Sequence, residues 1–356
     1  MSVQNIGGVT GNAALIYTAT IYHQLDQALS NPGAKPAWQG SVAPICTYQN
    51  VASKIADMEG AMGKVIPKEA VFAFSPPTAA MELLTGGRTL HPLVRESIKV
   101  TVNRYGTGYY VDRADFYGDV AGILRKMPQK LARPALKLGD VLLAAVLRNG
   151  TATPDPLVPS VNFFSANHPV SPAGANSLTY PNLYTSAGLT AAQVQRVYAG
   201  MRALKNEDGL SLNVKPDTLI CPAELEPAAI QATQIEYNVY SRGDNAFTPA
   251  QSTATAAMGQ NWIASTKAIK QIVVLPELTQ GGASIDTTTW YLSECANPEH
   301  GGAPGLILAE DPAVEFFAQF GLNDVEVYNN DRFAAAIQKF SGAGPGLAQW
   351  IARAEQ

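Results

Sequence analysis

The feature that most constrains this chain is a helical repeat of apolar side chains over residues 119–148. Apolar residues recur there at the spacing of one helix face, at about 100° per residue. Pro128 and Pro134 fall inside the repeat, and an interior proline costs a helix about 3 kcal/mol. The sequence therefore predicts either a kink or a short helix followed by a second that begins near Pro128. The predicted core-facing stripe is Val120, Ile123, Leu124, Met127, Leu131, Leu138, Val141, Leu142 and Ala145.

A group of basic side chains lies beside this stripe on the predicted helix. One interpretation is a solvated face whose long side chains cover apolar surface. The other is a mildly positive surface that makes weak, sequence-independent contacts with nucleic acid. No aromatic residues alternate with the group, so stacking on single-stranded bases is not expected. The candidate DNA-facing residues are Arg125, Lys126, Lys130, Arg133 and Lys137.

The other periodic segments predict helices and strands in irregular order, which is typical of an α+β fold. Residues 190–205 have a helical pattern, with Thr190 as N-cap and Gln193 completing a weak capping box. Residues 98–102 alternate apolar and polar, which predicts a strand, and Gly106 and Gly108 predict a bend or bulge after it. Further strands are predicted at 210–214, 218–222, 269–275, 289–292, 305–308 and 313–320.

Composition and charge limit the classes of protein to which the chain can belong. Charged residues make up only 15%, whereas about a quarter is usual, so much of the surface is expected to be covered by other copies of the chain. The net charge of −4 is not that of a general nucleic-acid binder, which is basic overall. Cys46, Cys221 and Cys295 are scattered, which argues against a disulfide framework. We see no signal-peptide pattern and no apolar run of about 18 residues, and we expect an intracellular protein.

No clustered catalytic or metal-binding set is visible in the sequence. The acidic pairs Glu224/Glu226 and Glu310/Asp311 are interpreted as complements of helix dipoles at helix starts or turns. Glycines at 105–110 and 341–346 lack the strand-to-helix context of a nucleotide-binding loop. We therefore expect neither an enzyme nor a cofactor. The four histidines stand apart, at His23, His91, His168 and His300. The nearest metal-like group, looser than zinc sites usually are, is Cys295, Glu299 and His300.

Three segments, in this order and spacing, resemble the Mu-like prophage major head subunit family. They are YYVDRADFYGD at 109–119, NFFSANHPV at 162–170 and MRALKNEDGLSLNVKPDTLICPAELEPAA at 201–229. A fourth, TTTWYLSE at 287–294, is similar to a further element of that family. The resemblance implies the tailed-phage major capsid fold of the Hong Kong 97 type, which is an α+β fold.

The resemblance also implies a division of the chain. Residues 1–50 would form an N-terminal arm, and 51–118 an extended loop with adjoining strands. Residues 119–185 would form a peripheral domain with a long helix, 186–310 an axial domain, and 311–356 a return to the peripheral domain and the C-terminus. In this fold the 201–229 segment would determine the path of the chain and fill the core, and it would carry no reactive group. Its expected core residues are Leu210, Leu212, Val214, Leu219 and Ile220.

The function implied by the resemblance is that of a major capsid protein. Such a subunit self-assembles as hexamers and pentamers into an icosahedral shell around double-stranded DNA. An encapsulin-like compartment shell of the same fold, which holds a cargo enzyme, is the alternative. Implied partners are further copies of the chain, the packaged DNA through weak non-specific contacts, and portal, scaffold or protease proteins. The implied location is the virion capsid, assembled in the bacterial host cytoplasm, with no membrane partner.

Overall fold

The structure is a computed structural model in which part of the chain is described. The described residues are 47–50, 53–54, 64–65, 68–74, 96–118, 127–170, 179–206, 209–240, 257–279, 288–294, 305–311, 314–319 and 323–356. They mix helices and sheets, as the irregular order of periodic segments predicts. Most of the expected N-terminal arm and much of the expected extended loop lie outside them.

The first sheet is organised around one long strand, β17 (Arg332–Pro345). On one side, β17 pairs antiparallel with β15 (Leu306–Glu310) and β16 (Glu315–Gln319). On its other side it pairs antiparallel with β6 (Asn103–Asp112) along ten residues. The strand β1 (Thr47–Asn50) adds in parallel to β15. A single long strand in the last quarter of the chain therefore pairs with a strand from its first third.

The second sheet is mixed and almost wholly buried. Its strand order is β13, β10, β14, β18 and β9, with β10 parallel to β13 and antiparallel to β14. The bounds are β9 Leu183–Tyr184, β10 Thr218–Cys221, β13 Gln271–Val274, β14 Trp290–Ser293 and β18 Ile351–Ala354.

Four two-stranded pairs complete the described strands. They are β2 Ser53–Lys54 with β3 Lys64–Val65, β4 Glu69–Phe74 with β5 Glu96–Thr101, β7 His168–Pro169 with β8 Thr179–Tyr180, and β11 Tyr237–Tyr240 with β12 Ala257–Gln260.

Helices in the described segments pack against these sheets. The α-helices are α1 Arg113–Tyr117, α2 Met127–Asn149, α3 Ala191–Arg202, α4 Glu226–Gln234, α5 Trp262–Thr266 and α6 Val325–Asn330. Short 3-10 helices are Ala223–Leu225, Pro276–Thr279 and Ala348–Trp350. Residues 119–126, the first part of the predicted helical repeat, are not described. The described part of α2 begins at Met127, so the predicted start near Pro128 is not tested, and Pro134 is accommodated inside the helix, exposed to solvent.

The face that α2 buries is not the predicted stripe. Val141, which belongs to the stripe, is 42% exposed, whereas Leu143 and Leu147 are fully buried. Ala132 and Ala135 of the buried face pack against Phe333, Ala335 and Ile337 of β17. Small side chains let the helix lie close on the sheet, so the alanine-rich face was favoured over the larger apolar residues. The stripe prediction is therefore wrong for the described part of the helix.

The prediction for β5 is confirmed, and the prediction for β6 is wrong. Ile98, Val100 and Val102 are buried while the residues between them are exposed, which confirms the alternation. The predicted bend at Gly106 and Gly108 is wrong, because both lie inside the continuous strand β6. A Cβ on Gly106 would come within 3.2 Å of the Ile337 carbonyl oxygen, so this glycine permits close approach to β17.

The 190–221 region follows its sequence pattern with one exception. Thr190 caps α3 by accepting a hydrogen bond from the Gln193 backbone NH at 3.4 Å, and β10 forms as predicted. Leu212 and Val214 are buried as expected, but Leu210 is 41% exposed. Residues 210–214 form no strand, because Asn213 takes a left-handed backbone conformation at φ 51°. The prediction of a strand there is wrong.

Candidate functional site

The predicted basic group is only partly described. Arg125 and Lys126 lie outside the described residues, and the side chain of Lys130 is not described. Arg133 is exposed on α2. Lys137 has its Nζ 2.9 Å from Oε1 of Glu277, whose side chain is 3% exposed. Lys137 therefore neutralises a buried carboxylate and ties α2 to the 3-10 helix at 276–279.

The acidic pair Glu310/Asp311 is not a helix-dipole complement, contrary to the sequence interpretation. Both side chains are buried, and Glu310 is the last residue of β15. The Nζ of Lys339 lies 2.7 Å from Oε2 of Glu310, across the β15–β17 ladder. Burial raises the pKa of Glu310, Lys339 opposes that rise, and the neighbouring Asp311 adds to it. Glu310 thus forms an ion pair with Lys339 inside the first sheet.

Glu224 and Glu226, the other acidic pair, lie where the helix-dipole interpretation places them. Glu224 is in the first turn of a 3-10 helix, and Glu226 begins α4 directly after it. Both side chains are exposed. Negative charge at a helix start is favourable, so this interpretation agrees with the structure.

His168 has a buried partner that the sequence did not indicate. Its Nε2 lies 3.3 Å from Oδ2 of Asp155, and both side chains are 3% exposed. The other carboxylate oxygen of Asp155 accepts hydrogen bonds from the backbone NH groups of Leu157 and Val158. The ring of Tyr180 packs against His168 at 5.1 Å between centroids. The signal was the His-Pro dipeptide in a long loop, but nothing in the sequence identified Asp155 thirteen positions earlier.

A second buried contact fixes the same loop to the end of the chain. The side-chain amide of Asn182 donates to the carbonyl oxygens of Phe163 and Ala348, at 2.7 and 3.3 Å. Its side-chain oxygen accepts from the Ser165 backbone NH at 2.7 Å. One buried amide thereby holds three distant segments in register. The 150–188 region is an ordered structural element where it is described.

The described residues contain no set of three or more His, Cys, Asp or Glu side chains placed to hold a metal ion. Cys295, Glu299 and His300 lie outside them. Cys221 is buried in the second sheet, and burial raises the pKa of its thiol to about 12, which suppresses the reactive thiolate. No helix in the described part of the chain has both the length and the apolar content needed to cross a bilayer.

Comparison with protein families gives a match that covers most of the chain. Residues 95–346 match the model of a family described as phage capsid protein. A search of curated proteins found no significant match.

Several solved structures are similar at a low level. The procapsid protein of bacteriophage JBD30 has 15% identity and a TM-score of 0.47, with 98% of this chain and 76% of that chain covered. The capsid of a native GTA particle has 10% identity and a TM-score of 0.46, with 99% and 92% covered. The capsid of cyanophage Pam1 has 12% identity and a TM-score of 0.44, with 87% and 88% covered. The family match does not depend on these distant likenesses.

Proposed function

Since this chain belongs to the phage capsid protein family and is therefore a subunit of a phage shell, we propose that its copies close into an icosahedral head around double-stranded DNA. The observation that carries the proposal is the family match over residues 95–346. That range contains β6, α2, most of the second sheet and all of β17. The matched region thus supplies all strands of the two sheets except β1 and β18.

Within this family we assign the chain to the Mu-like subfamily with the Hong Kong 97 type of fold. The four sequence motifs at 109–119, 162–170, 201–229 and 287–294 support the assignment. We keep the division into arm (1–50), extended loop (51–118), peripheral domain (119–185), axial domain (186–310) and C-terminal return (311–356). Strand β18 at Ile351–Ala354 pairs with β14, so the end of the chain contributes to a sheet whose other strands come from residues 183–293.

The role we propose is structural and not enzymatic. Two buried carboxylates of the described residues serve the fold: Glu277 pairs with Lys137, and Glu310 with Lys339. A thiol at Cys221 with a pKa of about 12 is a poor nucleophile at neutral pH. Assembly in the host cytoplasm, and contacts with portal, scaffold or protease proteins, belong to the same proposal.

The proposed contact with DNA is weak and non-specific, through the α2 group Arg125, Lys126, Lys130, Arg133 and Lys137. Arg133 is the member whose exposure supports it best, since Lys137 already faces a buried carboxylate. Replacing Arg133 with Gln should leave shell formation unchanged. It should lower the salt concentration at which DNA leaves opened shells, because phosphate contacts weaken as salt rises. If DNA release depends on salt equally in the variant and the parent, Arg133 does not contact DNA.

Electron microscopy of the purified, overexpressed chain tests the main proposal. Closed shells or capsomer rings are the expected result. Compact single subunits at high concentration would contradict it. The alternative function, an encapsulin-like compartment, predicts shells that carry a cargo enzyme and no genome. Nuclease-protected DNA inside particles from an infected or induced host distinguishes the two.

A further inference from the structure

The face of the first sheet that points away from α2 carries a shallow concavity. We call it the sheet trough and define it by Gly108, Tyr110, Phe317, Ala334 and Ala336. Cross-strand pairing sets Tyr110 beside Ala334 in one row, and Gly108, Ala336 and Phe317 in the next. Side chains two apart on a strand share a face, so the small residues form a floor between two aromatic rings. The trough has a volume of about 370 Å³.

The floor of the trough depends on the absence of a side chain at Gly108. A Cβ there would lie 3.0 Å from the Ala336 Cβ and 3.0 Å from the Ala335 carbonyl oxygen. Both contacts are tighter than strands normally allow, so a larger residue would separate β6 from β17. Glycine at this position therefore keeps the two strands close and the floor shallow.

The aromatic walls of the trough are open to solvent within the subunit. The side chain of Tyr110 is 62% exposed and that of Phe317 is 50% exposed. A single exposed apolar residue is ordinary on a protein surface. Two aromatic rings on either side of one concavity are more informative, because aromatic residues are enriched where proteins bind each other.

One charge pair and two carboxylates surround the trough. Glu326, which also lines it, accepts a hydrogen bond from the neutral side-chain amide of Asn330 at 2.8 Å. At one end the Nε of Arg332 donates to Oδ1 of Asp112 at 2.9 Å, and its guanidinium lies 4.4 Å from the Tyr110 ring centroid. At the other end the side-chain amide of Gln338 donates to the carboxylate of Glu315. Phosphate binding needs available cationic groups, and here the arginine is paired, so nucleic acid is a poor fit. The chemistry of the floor and walls suits apolar side chains of a protein.

We propose that the sheet trough is a contact between copies of this chain, in which it receives apolar side chains from a second copy in the shell. The proposal rests on the proposed function, because a shell brings copies together at fixed positions. Charged residues make up only 15% of the chain, so surface covered by other copies is expected, and an apolar concavity with exposed aromatic walls is such a surface. A stable interface buries about 800 Å² on each partner, so the trough supplies the anchored centre of a larger contact.

A photo-crosslink from within the trough tests the proposal directly. Phe317 is replaced by p-benzoylphenylalanine, which keeps an aromatic ring at the wall, and purified shells are irradiated. The expected product is a covalent dimer of this chain that forms in shells and not in dissociated subunits. Mass spectrometry then identifies the crosslinked segment of the second copy. Only monomer after irradiation, or an adduct with DNA or another protein, would overturn the proposal.

A substitution that fills the trough gives an independent test. Ala336→Arg places a long charged side chain on the floor, and Ala166→Arg makes the same change at an exposed loop position. We expect at least a tenfold loss of shells for the first variant and unchanged yield for the second, with both melting temperatures near that of the parent. Parent-like shell yield from Ala336→Arg would overturn the trough contact. If that variant does not fold, the crosslink decides. Failure of the parent chain to form shells would instead contradict the proposed function.

Discussion

The guanidinium of Arg353 donates a hydrogen bond from Nη1 to the carbonyl oxygen of Arg148, 3.1 Å away, at the C-terminal end of α2. Arg353 lies in the last strand of the chain, and the same group reaches the Leu147 carbonyl oxygen at 3.4 Å. The hydroxyl of Tyr291 donates to that second carbonyl at 3.2 Å. Helix ends leave carbonyl groups without partners in the helix, so the second sheet supplies the missing donors. A cationic donor also suits the negative end of the helix dipole.

Arg353→Met should therefore destabilise the subunit by about 2–3 kcal/mol, because it removes the side-chain donor of the Arg148 carbonyl and one of the donors of the Leu147 carbonyl. Its matched control is Arg133→Met, which removes an exposed arginine from the same helix and should change stability by less than about 0.5 kcal/mol. Urea unfolding of dissociated subunits gives both values. Equal, small changes would mean that Arg353 does not secure the end of α2.

The buried face of α2 makes a second, paired prediction. Leu143 is fully buried, so Leu143→Ala should cost about 2–5 kcal/mol in unfolding free energy. Val141 is 42% exposed two positions earlier, so Val141→Ala should cost less than about 1 kcal/mol. The same unfolding measurement compares them. A larger loss of unfolding free energy for Val141→Ala than for Leu143→Ala would mean that the face predicted from the sequence is the buried one.

Lys137 is expected to matter for stability more than its exposure suggests. The side chain of Lys137 is 60% exposed, but Glu277 beside it is only 3% exposed. Lys137→Met should cost about 1–2 kcal/mol, a value reduced from that of a fully buried pair because solvent screens the lysine. The double variant Lys137→Met/Glu277→Gln should recover part of the loss, since it removes the unpaired charge. No recovery in thermal melts would show that the carboxylate is not the source of the effect.

Glu310 should make stability depend on pH. Its pKa is raised in the folded state, first by burial, so the folded form holds the proton more tightly than the unfolded form. The contribution of Glu310 to the free energy of unfolding is therefore greatest below the ordinary carboxyl pKa of 4.5. That contribution falls as the pH rises through the raised pKa of the folded state. Glu310→Gln should flatten this part of the profile above pH 4.5. The melting temperatures of parent and variant, followed upward from that pH, test it; parallel profiles would contradict the assignment.

Much of the fold could be predicted from local patterns, and the failures share a physical cause. Thr190, the strand at 218–221 and the alternation at 98–102 depend on neighbouring residues, so the sequence contains their signals. The buried face of α2 depends on how closely β17 approaches it, which no local pattern records. The same holds for Gly106 and Gly108, which are small enough to let β17 lie close to β6. Long-range packing decided each of these features.

The contacts that link distant segments could not be predicted from the sequence for the same reason. Asp155 and His168 are thirteen residues apart, and Asn182 and Ala348 are separated by 166 positions. Each residue is ordinary alone, and only folding brings the partners together. The broader phage capsid family, in contrast, could be inferred from four ordered motifs, because shape-determining turns and strands leave a pattern along the chain.

Copies of this chain are proposed to assemble into a closed shell. Sedimentation velocity of the purified chain over a range of concentrations, with electron micrographs of the fastest fraction, measures that assembly. We predict a discrete, fast-sedimenting boundary that corresponds to closed shells of uniform diameter. A single slow boundary of individual subunits at every concentration would mean that the chain does not form shells.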